Sequence, residues 1–457
     1  MLRKIIKISI LVSLICCSLT GCVKEKASGT KTTLKIMYRD EESFYRTYGD
    51  LFQMDYPDIE LAVVSTSELY KEGATDEKLK EFIVKEQPDI IVLNAREYER
   101  FALEGELMAL TSLIQRDRYN IDTIYPGMIN FLKDAGGGEL YGLSPTFHGS
   151  AIIYNKDLFE QYGIELPHDG MTWEEIINTA RLFPTDGDSD TRIYGFGSRH
   201  PMSFETLLVS ISSTYGLQIL NSKAEELTIN TEAWKNVFSL AIDAVKSNSI
   251  YSDNSGRFAS GAMDDYYRSQ LFLVGRMGMT ISEPMILSEL IEARRVLPDS
   301  KPFEVGIVAG PVDPTASDKT RDVVVREIFS VREGAKNTET AWEFIKFISD
   351  DKYAKIKSRT LRNGLLSRMT ISTAISEYNL EAFYKLEPQI HSGVIMENVP
   401  GLNYEQFVEL QNREIELVFG NQKTLEAALR TIQEEGQALI DLAKEPRGSE
   451  GTIDHNE

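Results

Sequence analysis

Apolar and polar positions fall into a regular order from about Thr33 onward. Leu34–Met37 and Ile59–Val64 read as strands, and between them Phe44, Tyr48, Leu51 and Phe52 recur at helical spacing before Pro57 ends the run. A second helix at Asp76–Glu86 leads through Gln87-Pro88 into Asp89-Ile90-Ile91-Val92-Leu93, an unbroken apolar run of the kind covered on both faces. Three strands separated by helices predict a parallel sheet, with ligand chemistry at the carboxyl ends of its strands.

After Gly136-Gly137-Gly138 the chain predicts a turn and short strand over Glu139–Pro145, a strand over Ala151–Tyr154 and a helix over Lys156–Tyr162. Helical periods at Trp234–Val245 and Met285–Arg294 are separated by strands at Met277–Ile281 and Phe303–Val308. Val323–Val331 reads as one further strand and Ala341–Ile348 as a helix. Leu425, Leu429, Ile432, Gly436, Leu439 and Ile440 share one face of a last helix. Lys444–Glu457 carries charges, Pro446 and two glycines, and is expected to be disordered. No repeat marks a solenoid or propeller.

The first residues change the picture. Arg3, Lys4 and Lys7 precede an apolar run, Ile8–Cys17, that is too short to span a bilayer, which is the pattern of an export signal over 1–21. The run ends in Leu19-Thr20-Gly21-Cys22, which resembles the lipobox of bacterial lipoproteins, so Cys22 is the expected lipidation site. Residues 22–32 then form the lipidated Cys and a flexible stalk, being polar and without apolar period. Cys16 and Cys17 would leave with the signal, so no disulfide is possible.

The net charge is −21, and loss of Arg3, Lys4 and Lys7 takes it to −24. Such a surface repels nucleic acid and anionic lipid head groups, so a lipid rather than a basic patch must hold the protein at a membrane. A single-membrane Gram-positive cell is the expected setting, with the protein on the outer face of its membrane.

Four segments carry a resemblance to the family 1 extracellular solute-binding proteins, the maltose-binding-protein-like receptors of ABC importers. They are Gln87–Leu93 with Leu103–Leu110; Tyr141–Pro145 with Ile153–Phe159, Tyr162-Gly163-Ile164 and Thr172–Glu175; Phe272–Met279; and Ala341–Ile348. They lie in family order over about residues 33 to 440. The resemblance implies an α/β, two-lobed periplasmic-binding-protein-like fold, each lobe a mainly parallel sheet flanked by helices, with a hinged cleft between. The first lobe would comprise 33–145 plus 328–389 and the second 146–327 plus 390–443, with 444–457 as a tail and hinges near Pro145 and Arg326. It implies a monomeric substrate-binding lipoprotein that hands a small solute to ABC transporter permease subunits, the ligand stabilising the closed form by its differential affinity.

Within that frame the loops at strand ends supply the candidate ligand contacts: Tyr38, Arg39 and Asp40; Asn94 and Tyr98; Phe147 and His148; Arg199 and His200; Glu283; Arg326 and Glu327. Phe147, Tyr38 and Tyr98 are candidates to stack on an apolar sugar face, and Asp40, Arg39 and Glu283 to bond its hydroxyls. Thr172-Trp173-Glu174-Glu175 instead reads as a helix cap followed by a core indole, and Trp234 and Trp342 also read as core. With no tryptophan in the expected cleft, a mono- or oligosaccharide ligand rests on family analogy. A peptide, a polyamine, a polyol phosphate and a metal remain alternatives.

No cofactor is expected, and no resident metal site. Asp186–Asp190 alternates carboxylates, but Gly197 stands where a calcium loop needs its last Glu. His148, His200 and Glu283 are the one weighed combination for a metal ligand, and they have no close spacing. The rival class is an enzyme acting on glycosides. It finds no nucleophile elbow, zinc motif or phosphate loop here, and with 70 acidic residues a chance carboxylate pair decides nothing. A purely structural surface protein is the third class, and it predicts no stabilisation by a ligand.

Overall fold

The computed structural model describes residues 32–71, 73–188, 191–252, 261–359, 364–369, 374–375, 378–389, 396 and 399–444. The signal, Cys22, Ser189, Asp190 and residues 445–457 lie outside the described residues. By contacts the chain divides into two compact units, one ending at Ile91 and regaining Ala335–Ala341, the other comprising Val92–Gly334 and the chain from Trp342 on.

In the first unit, β1 (Thr32–Tyr38) pairs in parallel with β2 (Ile59–Ser65), and Ile36 and Met37 pair in parallel with Ile90 and Ile91 of β3 (Ile90–Leu93). The segment between β1 and β2 is helical from Glu41 to Asp55, with π-helical geometry over Tyr45–Gly49. The inserted residue keeps Phe44, Tyr48 and Phe52 buried together. Asp89 is buried and answers for it: its carboxylate accepts from the Lys35 N–H at 3.0 Å, from the Asn337 N–H at 3.1 Å and from the Asn337 side-chain amide at 3.0 Å.

The second unit holds the elements that build the site. Its main sheet runs in the order β7 (Tyr194–Gly197), β8 (Met277–Ser282), β6 (Ala151–Asn155), β9 (Val305–Val308). The β7–β8 pair is parallel, and β6 is antiparallel to both β8 and β9. Gly278 lets this sheet close on its helices, since a Cβ there would meet the Phe183 ring at 2.7 Å and the Gly195 carbonyl at 2.9 Å. Helices α1 (Trp173–Ala180), α2 (Phe204–Thr214), α3 (Glu232–Lys246), α4 (Tyr404–Phe419) and α5 (Leu425–Lys444) pack one continuous apolar core with that sheet, centred on Ile152, Phe159, Ile176, Phe238 and Ile432. Trp173, Trp234 and Trp342 are all buried. Thr172 caps α1 as the sequence predicts, its hydroxyl accepting from the Glu175 N–H while Glu175 accepts from the Thr172 N–H.

The expected strand Val323–Val331 is instead two, β11 (Val323–Val324) and β12 (Ile328–Val331). They are separated because they serve different partners: β11 pairs antiparallel with β5 (Thr146–Gly149), and β12 pairs antiparallel with β4 (Gly142–Leu143). Val325, Arg326 and Glu327 make the step between them. Ser144 stands across this step, its hydroxyl within bonding distance of the Thr146 and Glu327 carbonyls at 2.7 and 2.8 Å. Nearby, β10 (Lys319–Thr320) pairs in parallel with Glu387–Pro388. Among the described residues no helix is long and apolar enough to cross a membrane.

Candidate functional site

Sheet topology decides where polar chemistry can collect. Because β7 and β8 are parallel, both end at one edge, and they release Ser198-Arg199-His200 and Glu283 there. Because β6 runs antiparallel to β8, with Ala151 opposite Ser282, its beginning lies at the same edge. That brings in Ser150 and the preceding β5, whose His148 and Gly149 pair with Val324 and Val323.

Two features occupy this edge. The first is a charged group around β5. His148 Nδ1 lies 3.0 Å from Glu283 Oε2, with the imidazole three-quarters covered and the carboxylate half exposed. The His148 hydrogen bond holds the Glu283 carboxyl below its ordinary range, and the charge of Arg326 acts the same way. Asp322, at the entry to β11, behaves oppositely. Solvent reaches it, yet crowding by protein pushes its carboxyl up, the Glu283 charge adds to that, and bonds from Ser150 only partly offset it.

The second feature is a cavity of about 160 Å³ lined by Ser198, Arg199, Gln270, Thr280, Ser282 and Glu289 among others. Arg199 is fixed at its mouth, donating to Glu289 at 2.5 Å and to the Tyr266 hydroxyl at 2.6 Å. A larger concavity of about 500 Å³ lies at the opposite end of β6, against Tyr154, Lys156 and Lys385. Its lysines are already engaged, Lys156 with Glu304 and Lys385 with Asp169, and it is remote from the converging strand ends.

The expected site residues divide sharply. His148, Arg199, Glu283 and Arg326 stand at this edge, with His200 exposed beside Arg199 and Glu327 half-buried at the step after β11. The three aromatic candidates offer no free ring face. Phe147 is wholly buried, stacked on Tyr125 at 5.5 Å and edge-on to Tyr384. Tyr98 is wholly buried, its hydroxyl donating to the Leu132 carbonyl and accepting from the Tyr141 N–H. Tyr38 is buried among Phe44 and Tyr48. Asn94 is occupied as a helix cap, in a reciprocal pair with Glu97.

In the first unit, Asp40 caps the helix after β1. Its carboxyl is lowered to about 2 by the Ser43 backbone N–H and by Arg39, which lies 2.9 Å away. Sequence reasoning missed Asp322, Ser150, Gln270, Glu289 and Tyr266. Only the strand registers bring them to this edge, and each is an ordinary polar residue within its own segment. Among the described residues no group of three metal-ligating side chains forms.

Comparison with known proteins bears on this geometry. The sequence pattern of the bacterial extracellular solute-binding proteins matches residues 38–355. The sn-glycerol-3-phosphate-binding periplasmic protein UgpB of Agrobacterium fabrum is 24% identical over 382 residues, 79% of this chain and 81% of its own. Among solved structures, the sugar-binding protein MalE of Xanthomonas citri is similar with a TM-score of 0.61 at 14% identity, over 90% of this chain and 98% of its own. A sugar transporter of Rhizobium etli in an open conformation is similar with a TM-score of 0.58 at 17% identity, over 90% and 99%. These likenesses show the periplasmic-binding-protein-like α/β fold that the sequence predicts.

Proposed function

The chain belongs to the bacterial extracellular solute-binding proteins, and from that premise we propose that it is the substrate-binding lipoprotein of an ABC importer, taking up a mono- or oligosaccharide. The observation that carries this reading is the convergence of polar side chains at one strand edge: Ser198, Arg199, Gln270 and Ser282 around a cavity, with His148 and Glu283 beside it. A cavity walled by hydroxyls, an amide and a fixed guanidinium suits a ligand that presents many hydroxyl groups. The similar structures of a sugar-binding protein and a sugar transporter support the class, while the glycerol-phosphate-binding relative keeps a polyol phosphate as the second reading.

We assign the ligand contacts to His148, Arg199 and Glu283, with His200 and Arg326 at the margin. We propose as its two lobes the segments read from the sequence, 33–145 plus 328–389 and 146–327 plus 390–443. Support for a hinge at their crossings comes from the shortness of the strands there, four residues in β5 and two each in β10 and β11. The lipid on Cys22 would tether the receptor beside its permease.

A thermal-shift screen with neutral sugars, polyol phosphates, amino acids, polyamines and metals tests the reading, because a ligand selective for the folded state raises Tm. Stabilisation by one sugar class, lost in Arg199→Ala and Glu283→Ala, is the expected outcome. A shift with glycerol phosphates alone would move the assignment to the second reading. Palmitate labelling that persists in Cys22→Ala would remove the anchor.

A further inference from the structure

The concavity of about 500 Å³ at the opposite end of β6 is walled by polar groups that no described residue satisfies. Its floor follows from strand register. Tyr154 of β6 lies directly opposite Gly306 of β9, and a Cβ at Gly306 would collide with the Tyr154 ring and hydroxyl, so the phenol crosses β9 because no side chain stands there. Tyr154 is 6% exposed, yet among the described residues its hydroxyl has no hydrogen-bond partner. A buried phenol ordinarily finds one. Burial pushes the pKa of this hydroxyl up, so it stays protonated and able to donate.

Arg294, on the helix Met285–Val296, lines the same cavity. Its Nη2 donates to the Phe303 carbonyl at 2.6 Å and its guanidinium lies 5.8 Å from the centre of the Phe303 ring. Its Nε is buried without a hydrogen-bond partner, and no carboxylate pairs with it among the described residues. The other charges are accounted for: Lys156 pairs with Glu304, Lys385 with Asp169, and Glu381 is exposed to water at the rim. A buried guanidinium nitrogen without an acceptor is costly, whereas an exposed carboxylate is hydrated. The unmet demand is therefore for an anion.

The strand edge adds neutral groups. β9 is the last strand of its sheet, and the Glu304 carbonyl accepts from the Lys156 N–H on the β6 side. Alternation along the strand turns the N–H and C=O groups of Val305 and Ile307 away from β6, on the side where both residues line the cavity. Donors and acceptors in turn suit hydroxyl groups rather than a second charge. The volume falls in the ordinary range of small-molecule sites, about 300–1,000 Å³.

We infer that this cavity is a second ligand site, taking a small hydroxylated organic anion whose carboxylate or phosphate oxygens are held by Arg294. Tyr154 donates to the same molecule, and the free edge of β9 meets its hydroxyl groups. The site lies at the other end of β6 from His148, Arg199 and Glu283, so it can fill while the strand-edge cavity is occupied.

Isothermal titration at low salt with D-gluconate, D-glucose 6-phosphate and inorganic phosphate tests this on the wild-type protein, Arg294→Gln, Tyr154→Phe and Arg199→Ala. Glutamine keeps an amide that can donate to the Phe303 carbonyl, so Arg294→Gln removes the charge and spares that bond. Gluconate or glucose 6-phosphate is expected to bind the wild type and to lose affinity about tenfold or more in Arg294→Gln and about threefold or more in Tyr154→Phe, the scales of a charge-assisted and a neutral hydrogen bond, while Arg199→Ala changes it by less than about twofold. Tyr154→Phe is expected to leave the Tm of the unliganded protein unchanged, since the hydroxyl has no protein partner to lose. Binding of gluconate alone places a carboxylate at Arg294, and binding of glucose 6-phosphate alone a phosphate monoester; either supports the site. Inorganic phosphate binding as tightly as both overturns the organic ligand. Absence of binding by all three anions overturns the inference. So does binding lost in Arg199→Ala and kept in Arg294→Gln, which moves the anion to the strand-edge cavity. If circular dichroism shows Arg294→Gln unfolded, Tyr154→Phe decides: unchanged affinity in that variant overturns the inference.

Discussion

The two faces of strand β5 make the instructive comparison. Phe147 and His148 are consecutive, and in a strand consecutive side chains point to opposite faces. One enters a closed aromatic cluster with Tyr125 and Tyr384; the other meets Glu283 at the open edge of the β6–β8 sheet. The first holds the crossing between β4 and β6 in place, and the second is available to chemistry. The lesson is that residues sharing a loop-like stretch of sequence need not share a role, since a shift of one position exchanges core for solvent.

The comparison is open to direct attack. Phe147→Ala should cost about 3–5 kcal/mol, the range for deleting a buried aromatic ring, measured as a fall in the urea midpoint. A variant that kept its stability but lost ligand would invert the assignment of the two faces. Tyr98→Phe should cost about 1–3 kcal/mol by leaving the Tyr141 N–H without its acceptor and the Leu132 carbonyl without this donor. His148→Ala, on the open face, should change stability by less than about 1 kcal/mol, because its pair with Glu283 is half exposed and screened. Its effect belongs in ligand affinity, and titration calorimetry would read it there.

The smallest effect separates the two carboxylates by pH. Glu283 has a lowered pKa, so its contribution to stability is present above its unfolded pKa and disappears as pH falls through the folded one. Asp322 has a raised pKa, so the folded protein binds its proton more readily and loses stability as pH rises from the unfolded value through the raised one. Melting curves across the acid range should therefore respond with opposite sign: Glu283→Gln removes stability on the neutral side, and Asp322→Asn adds a little there. Equal signs would mean that one of the two carboxyls is shifted in the other direction.

Much of the framework was legible from local pattern. The helical runs at Asp76–Glu86 and Lys156–Tyr162 carry their caps, and the apolar strand ahead of Asn94 needed no partner to be recognised. Thr172 and Glu175 announce the start of a helix within four residues, which also places Trp173 in the core. The errors fall where a residue's fate depends on distant chain. Val323–Val331 is apolar on either side of Arg326-Glu327 and reads as one strand, yet its two halves pair with β5 and β4, so it breaks at that pair. Tyr38, Tyr98 and Phe147 follow strands or flank them as ligand-contacting aromatics do, and each finds a buried partner elsewhere in the fold instead.

The sequence by itself determined the family, the α/β order of elements and their caps, because periodicity, capping boxes and ordered family segments are written in neighbouring residues. Only the tertiary structure decided which polar side chains gather at one strand edge. Asp322, Ser282 and the stretch from His148 to Ser150 belong to three separate segments, and what brings them to one edge is the antiparallel register of β6 on β8 and of β5 on β11. Register is fixed by long-range pairing and by which faces are buried, so one carboxylate among 70 acquires its meaning only once the strands are laid side by side.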